Sequence, residues 1–192
     1  QTPREVMMAL ARVCGKIGGH EALNTLRLLI TAPDPEVRTA SLAGLSACGY
    51  RSDEREAILD LVHEEANTFT TLLAIRRDLS SSEEVTLLNT ALDKLMLLAQ
   101  ERMLYLLSFI YDAEPVNRAR EALMLGWEQL RAMSLEILET YSDRQMRAFL
   151  IPIFDGSSPG EQLKRLSVIF PQTSVGRETR LIEVLAHPPT PW

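Results

Sequence analysis

The chain has 192 residues, 46% of them hydrophobic and 24% charged, a composition that is typical of a folded globular protein and excludes a disordered tail or a fibre. Its 20 basic and 26 acidic side chains give a net charge of −6. Proteins that bind nucleic acid through the phosphate backbone usually carry a surplus of Lys and Arg. The charge balance therefore argues against nucleic acid as a partner.

Three features bear on the cellular context. Cys14 and Cys48 lie among apolar neighbours on predicted helices, so we interpret both as small buried hydrophobes and see no need for an oxidising compartment. The longest stretch without a charge, residues 39–50, has 12 residues, whereas a bilayer-spanning helix needs about 20. We therefore expect no membrane span. Because the chain opens at Gln1 close to a helix and ends in the Pro-rich residues 187–192, we expect a piece of a longer polypeptide.

Apolar residues recur at helical spacing along the chain, and no strand-like alternation or Asn-Gly or Asp-Gly turn is present. One such stripe consists of Leu130, Met133, Ile137, Leu138 and Tyr141, and stripes of this kind usually bury one helix face. The pattern predicts an all-α fold. The predicted helices are 3–16, 20–31, 35–48, 53–78, 82–111, 115–125, 128–141, 143–154, 159–169 and 175–186.

Helix boundaries follow from capping residues. Residues 2–5, Thr-Pro-Arg-Glu, combine a cap, a first-turn proline and a capping-box glutamate, and Asp34-Pro35 repeats the cap and proline. Capping boxes are also predicted at 81–84 and 158–161. The span 82–111 is either one helix or two. Helices are predicted to stop at glycines, which are Gly18, Gly19, Gly49, Gly126 and Gly156.

The first fifty residues contain an internal repeat. Glu5-Val6-x-x-Ala9 reappears as Glu36-Val37-x-x-Ala40 at an offset of 31, and Gly18 matches Gly49 at the same offset. The repeating unit is a helix, a short turn with Asp-Pro, a second helix and a glycine. Units of this length indicate stacked helix pairs.

The segment Asp34-Pro-Glu-Val-Arg38, followed by Ala40, Leu45 and Gly49, resembles a HEAT repeat. In that family an Asp lies at the turn within the repeat, Val-Arg opens the second helix, and Ala and Leu face the core. The resemblance implies an α-solenoid of HEAT-like helix pairs.

We expect this solenoid to be a single domain over residues 1–186, with 187–192 as a Pro-rich tail or linker. The repeat matches best over 20–49 and partially over 3–18, where Met7 replaces the usual Arg, and the helices over 53–186 diverge.

A second resemblance begins at Arg102-Met-Leu-Tyr-Leu-Leu-Ser-Phe-Ile-Tyr-Asp112 and continues through Arg131-Ala-Met-Ser-Leu-Glu-Ile-Leu-Glu139 to Leu150-Ile-Pro-Ile-Phe154. These segments resemble the HEAT-like soluble region of bacterial proteins related to ATP/ADP translocases. In that family Arg131 is more often followed by Ala-Asn-Ala, and Met133 and Ser134 depart from this. The resemblance implies a cytoplasmic location, as the soluble part of an inner-membrane protein with transporter-like character.

Several polar residues allow two interpretations. Asp34 and Arg38 are interpreted as a helix cap and a donor across the turn, with a binding role as the alternative. Arg131 has the same status. Trp127 is either an anchor within the stack or an exposed contact for a partner. The basic residues Arg76, Arg77, Arg118, Arg120 and Arg131 form either a basic interaction groove or a solvated face that is paired with Glu114, Glu121 and Glu128.

No catalytic arrangement is evident. His63-Glu64-Glu65 resembles part of a metalloprotease helix, but Asn67 stands where the second His is needed, and both glutamates are assigned to the helix surface. No nucleophile elbow, phosphate loop or dinucleotide motif appears. We therefore predict no enzyme activity, no cofactor and no metal site.

The leading hypothesis is a non-catalytic HEAT-like scaffold that binds a protein partner or adjacent domains of the same polypeptide. It would serve as a cytoplasmic regulatory region of a transporter-like membrane protein. The alternatives are a HEAT-like enzyme or enzyme subunit, of the bilin lyase or DNA glycosylase type, and a nucleic-acid-binding solenoid.

Overall fold

A computed structural model describes residues 3–79 and 86–186. Over these residues the chain is helical without a strand, which confirms the all-α prediction, and the helices follow the predicted ones in number and order. They are α1 (Arg4–Ile17), α2 (His20–Leu29), α3 (Pro35–Ala47), α4 (Arg55–Leu79), α5 (Thr86–Ile110), α6 (Ala113–Met124), α7 (Glu128–Tyr141), α8 (Arg144–Phe154), α9 (Pro159–Leu166) and α10 (Arg177–Ala186). The span left open by the sequence is one helix from Thr86 onward.

The helix ends are capped by side chains as the sequence predicts. The Asp34 carboxylate accepts hydrogen bonds from the backbone N–H groups of Glu36 and Val37, and Ser158 and Glu161 form a reciprocal capping box at the start of α9. The five predicted helix-ending glycines all have positive φ, which only glycine adopts without strain. The cap predicted at Thr2, the box at 81–84 and the tail 187–192 lie outside the described residues.

The first five helices pack on helices that are close to them in the chain. Helix α1 packs on α2 and α3, α3 packs on α2 and α5, and α4 packs on α5. The succession of α1, α3 and α5 is compatible with a helical repeat. The later helices depart from it, because α8, α9 and α10 all contact α4. The last three helices therefore do not follow a stack in which each helix pair contacts only its neighbours.

Helix α5 lies at the centre of the core. Its residues 102–109 are all buried, so this part of the helix has no solvated face and is surrounded by protein on every side. Arg102 is the one charged residue in this stretch. Among the described residues, no helix combines the length and the apolar character needed to cross a bilayer.

Helices α1 and α3 approach each other at backbone distance. A Cβ atom added to Gly15 would lie 2.7 Å from the Cα atom of Gly44. A Cβ atom added to Gly44 would lie 2.9 Å from the Leu26 side chain and 3.0 Å from the Ala11 carbonyl oxygen. Both glycines lie inside helices, where glycine costs stability relative to alanine, so their role is to permit this close contact.

The repeat places equivalent residues in different surroundings. Val37 on α3 is 2% exposed, whereas Val6, its equivalent on α1, is 53% exposed. Val6 belongs to an apolar stripe along α1 that also contains Leu10, Val13 and Ile17, and all four side chains are exposed. In α3 the corresponding face packs toward α1 and α2, and on α1 this face meets solvent.

Candidate interaction surface

The five arginines predicted as a basic surface lie on α4, α6 and α7, and each forms an ion pair. Arg76 pairs with Asp93, Arg77 with Asp78, Arg118 with Glu114, Arg120 with Glu101 and Glu121, and Arg131 with Glu128. Arg118, Arg120 and Arg131 thus pair with the glutamates named from the sequence, whereas Arg76 and Arg77 pair with aspartates. Arg118 is the most exposed of the five, at 76% of its side chain.

Arg120 belongs to the contact between α5 and α6. Its guanidinium lies 4.3 Å from the centre of the Tyr105 ring and 3.5 Å from the Glu101 carboxylate, and the side chain is 16% exposed. Burial raises the pKa of Tyr105, and the Arg120 charge opposes this shift. Arg120 therefore stabilises the helix contact and offers little surface to a partner.

Arg131 connects α7 to the end of α8. Its Nη1 atom donates to the Phe154 carbonyl oxygen at 3.2 Å, and its Nη2 atom lies 2.6 Å from the Glu128 carboxylate. The guanidinium also lies across Gly156, where a Cβ atom would come within 2.8 Å of it. These contacts give Arg131 a structural role in this part of the chain.

An open groove lies between α6 and α7. Gly126, with φ +69°, allows the tight turn that sets the two helices side by side, and the Trp127 N–H donates to the Ala122 carbonyl oxygen. The groove has a volume of about 500 Å³. Apolar side chains from both helices contribute to its lining, and these are Pro115, Ala119, Ala122, Trp127, Leu130, Met133 and Ile137.

Three apolar side chains remain exposed beside or within this groove. Trp127 is 51% exposed, Leu125 is 63% exposed and Met133 is 55% exposed. The sequence stripe predicted that Met133 would be buried with Leu138, and this is wrong, because Met133 faces the groove whereas Leu138 is 1% exposed. Trp127 is therefore not a buried anchor within the stack, and its contact with a partner stays a prediction.

The rim of the groove is acidic. Asp112, Glu114 and Glu121 line it together with one cation, Arg118. Glu114 is 72% exposed and Glu121 is 65% exposed, so their charges face solvent. This combination of an apolar floor and a charged, solvated rim is the usual anatomy of a protein-binding surface.

A buried ion-pair cluster connects α3, α4 and α5. Arg102 is 1% exposed, and its Nε and Nη2 atoms donate to the two Glu65 oxygens at 2.7 and 2.6 Å. Arg38 donates to the Ala32 and Pro33 carbonyl oxygens, as the interpretation of a donor across the turn requires, and its Nε atom lies 3.7 Å from Glu65. Burial and the Arg102 charge lower the pKa of Arg38, while Glu65 opposes the shift.

The sequence pattern did not predict this cluster. The prediction that Glu65 lies on the helix surface is wrong, since its side chain is 12% exposed and faces Arg102. The available signal was a single Arg at the start of an apolar run, because an arginine within such a run must find a buried partner.

A second groove, of about 560 Å³, lies between α4 and α8. His63 lines it and packs against Phe149 and Phe170, with ring centres 5.8 and 4.7 Å away. In the part of the chain that the structure describes, no three metal-ligating side chains lie together.

Comparison of the chain with protein-family models, with curated proteins and with solved structures gave no significant match. The resemblance to HEAT repeats therefore depends on the residues quoted above.

Proposed function

We propose that this chain is a non-catalytic scaffold of HEAT-like helix pairs that binds a protein partner through the α6–α7 groove. The observation that carries the proposal is the exposure of Trp127 beside Leu125 and Met133 at an apolar groove. Tryptophan is enriched among the residues that contribute most to protein–protein binding, and a surface anchor of this kind contributes little to folding.

The helix-pair part of the proposal is supported by the first five helices. Asp34 caps α3, Arg38 ties the α2–α3 turn together, and α1, α3 and α5 stack in order. Such stacking presents surface residues on rigid helices, which favours binding because little conformational entropy is lost on association.

A cellular context follows from the resemblance of residues 102–154. We propose that the domain lies on the cytoplasmic side of a transporter-like membrane region and links it to a regulatory module. The full-length gene tests this directly. A coding sequence without an apolar multi-helix region next to this domain would contradict the context and leave the groove proposal standing.

The groove proposal is tested by partner recovery from cells that make the full-length gene product with an affinity tag. We expect Trp127→Ala to weaken the affinity for a specific partner by roughly 30-fold, the effect of losing a residue worth about 2 kcal/mol in binding, and so to reduce its recovery. The matched control is Val168→Ala, which trims an apolar side chain that is 82% exposed and does not line the groove. Equal recovery by wild type and Trp127→Ala would contradict the proposal.

A further inference from the structure

The charge around the groove selects among protein partners. Residues 112–141 contain six carboxylates and three arginines. Two of the arginines are committed to structural contacts, because Arg120 is 16% exposed against Glu101 and Arg131 is 27% exposed against Glu128 and the Phe154 carbonyl. Arg118 alone is highly exposed, and Glu114 already pairs with it. The field that a partner meets at this surface is therefore negative.

The shape of the groove restricts the partner further. Helices α6 and α7 are consecutive, are joined by a turn of three residues, 125–127, and pack against each other. Two helices joined in this way leave a long furrow between them, into which a third helix packs by ridges and grooves. The apolar lining runs from Ala119 on α6 to Ile137 on α7, so a helix with an apolar stripe matches it.

We propose that the groove binds an amphipathic helix whose apolar stripe is flanked by Lys or Arg side chains. The proposal rests on the proposed function and names the chemistry of the partner. The stripe contacts Trp127, Leu130 and Met133, and the flanking cations lie near Glu114 and Glu121. Nucleic acid and anionic lipid do not fit, because both would bring phosphates against these carboxylates.

The test uses Trp127 fluorescence. The chain has two tryptophans, so Trp192→Phe leaves Trp127 as the only one. The probe is a Leu/Lys peptide of about 18 residues, with Leu at i, i+3, i+4 and i+7, long enough to form a helix on binding. A Leu/Glu peptide of the same pattern is the comparison. We expect the Leu/Lys peptide to shift the emission to shorter wavelength and to bind at least 10-fold more tightly, with the difference shrinking in high salt.

Variants of the rim carboxylates test whether the preference for the cationic peptide arises at this groove. Glu114→Gln and Glu121→Gln should each weaken binding of the Leu/Lys peptide by about 2- to 5-fold, as expected for exposed ion pairs. Glu178→Gln on α10 is the control and should have no effect.

Three outcomes would overturn the proposal. Equal binding of both peptides would refute the cationic partner while leaving an apolar protein-binding groove intact. Binding of neither peptide would refute the amphipathic helix. Concentration-dependent self-association that shields Trp127 would show that a second copy occupies the groove. Failure of the proposed function gives a different result, because in that case Trp127→Ala leaves the recovery of the cellular partner unchanged.

Discussion

Arg102 of α5 and Glu65 of α4 form two parallel hydrogen bonds in a site from which water is almost excluded. Arg102 Nη1 also lies near the Pro35 carbonyl oxygen and the Thr39 hydroxyl, at 3.3 and 3.2 Å. One guanidinium therefore joins α3, α4 and α5. Since breaking a buried pair leaves one charge without a partner, this contact specifies how the three helices align.

We predict that Arg102→Ala lowers the free energy of unfolding by about 3–5 kcal/mol, because Glu65 loses its partner while it stays largely buried. Urea denaturation measures this loss. The control is Glu64→Ala, which removes an exposed carboxylate next to Glu65 on α4. Its free energy of unfolding should change by no more than about 0.5 kcal/mol. Equal stability of the two variants would show that the Arg102–Glu65 pair does not stabilise the packing of α3, α4 and α5.

The Gly15–Gly44 contact gives a second prediction. Gly15→Ala should destabilise the protein by about 1–3 kcal/mol, because the new methyl group meets the α3 backbone and forces the helices apart. The matched variant is Gly160→Ala on α9, where a Cβ atom meets no atom within 4 Å. It should be neutral or should stabilise by about 0.4–1 kcal/mol. Thermal unfolding that ranks the two the other way would contradict the close packing of α1 on α3.

The repeat supplies a matched pair of valines. Val37→Ala removes a buried side chain and should cost about 1–3 kcal/mol. Val6→Ala trims the equivalent residue on α1, which is half exposed, and should cost less than about 0.5 kcal/mol. Chemical denaturation of both variants checks this difference in burial, and similar losses would contradict it.

Acid should weaken the attachment of α10. Burial raises the pKa of Asp78, but hydrogen bonds from Arg180, Arg77 and the Val175 N–H outweigh it and hold the pKa below its usual value. A carboxyl group with a depressed folded-state pKa stabilises the fold above its unfolded pKa of about 4, and this contribution is lost as the pH falls through the folded pKa.

Hydrogen exchange measures this effect on α10. Asp78→Ala should bring the α10 amides to fast exchange at neutral pH, since the Arg180 side chain is 14% exposed and loses its main acceptor. Asp60→Ala, an exposed carboxylate on the same helix, should leave exchange unchanged. If the α10 amides are equally protected from exchange in both variants and at every pH, the Asp78–Arg180 pair does not attach α10 to α4.

The sequence predicted the helices and their ends because these depend on neighbours within one or two turns. The apolar period, the Asp34 cap and the helix-ending glycines are all local signals. The α1–α3 contact was also within reach, because an internal repeat predicts that equivalent helices lie side by side.

Contacts between distant parts of the chain could not be predicted in this way. Arg180 reaches Asp78 across 102 residues and Arg102 reaches Glu65 across 37, and neither pair leaves a periodic pattern. The exposure of Met133 was missed for a related reason, since a helical stripe shows which residues share a face and does not show whether another element covers it.

The apolar stripe of α1 has a consequence for handling the protein. Val13 and Ile17 are 50% and 75% exposed, so α1 presents an apolar face to solvent, and contiguous exposed apolar surface promotes association. We expect this chain to associate through α1 as its concentration rises. Glutamate at these two positions should restore solubility without touching the interior.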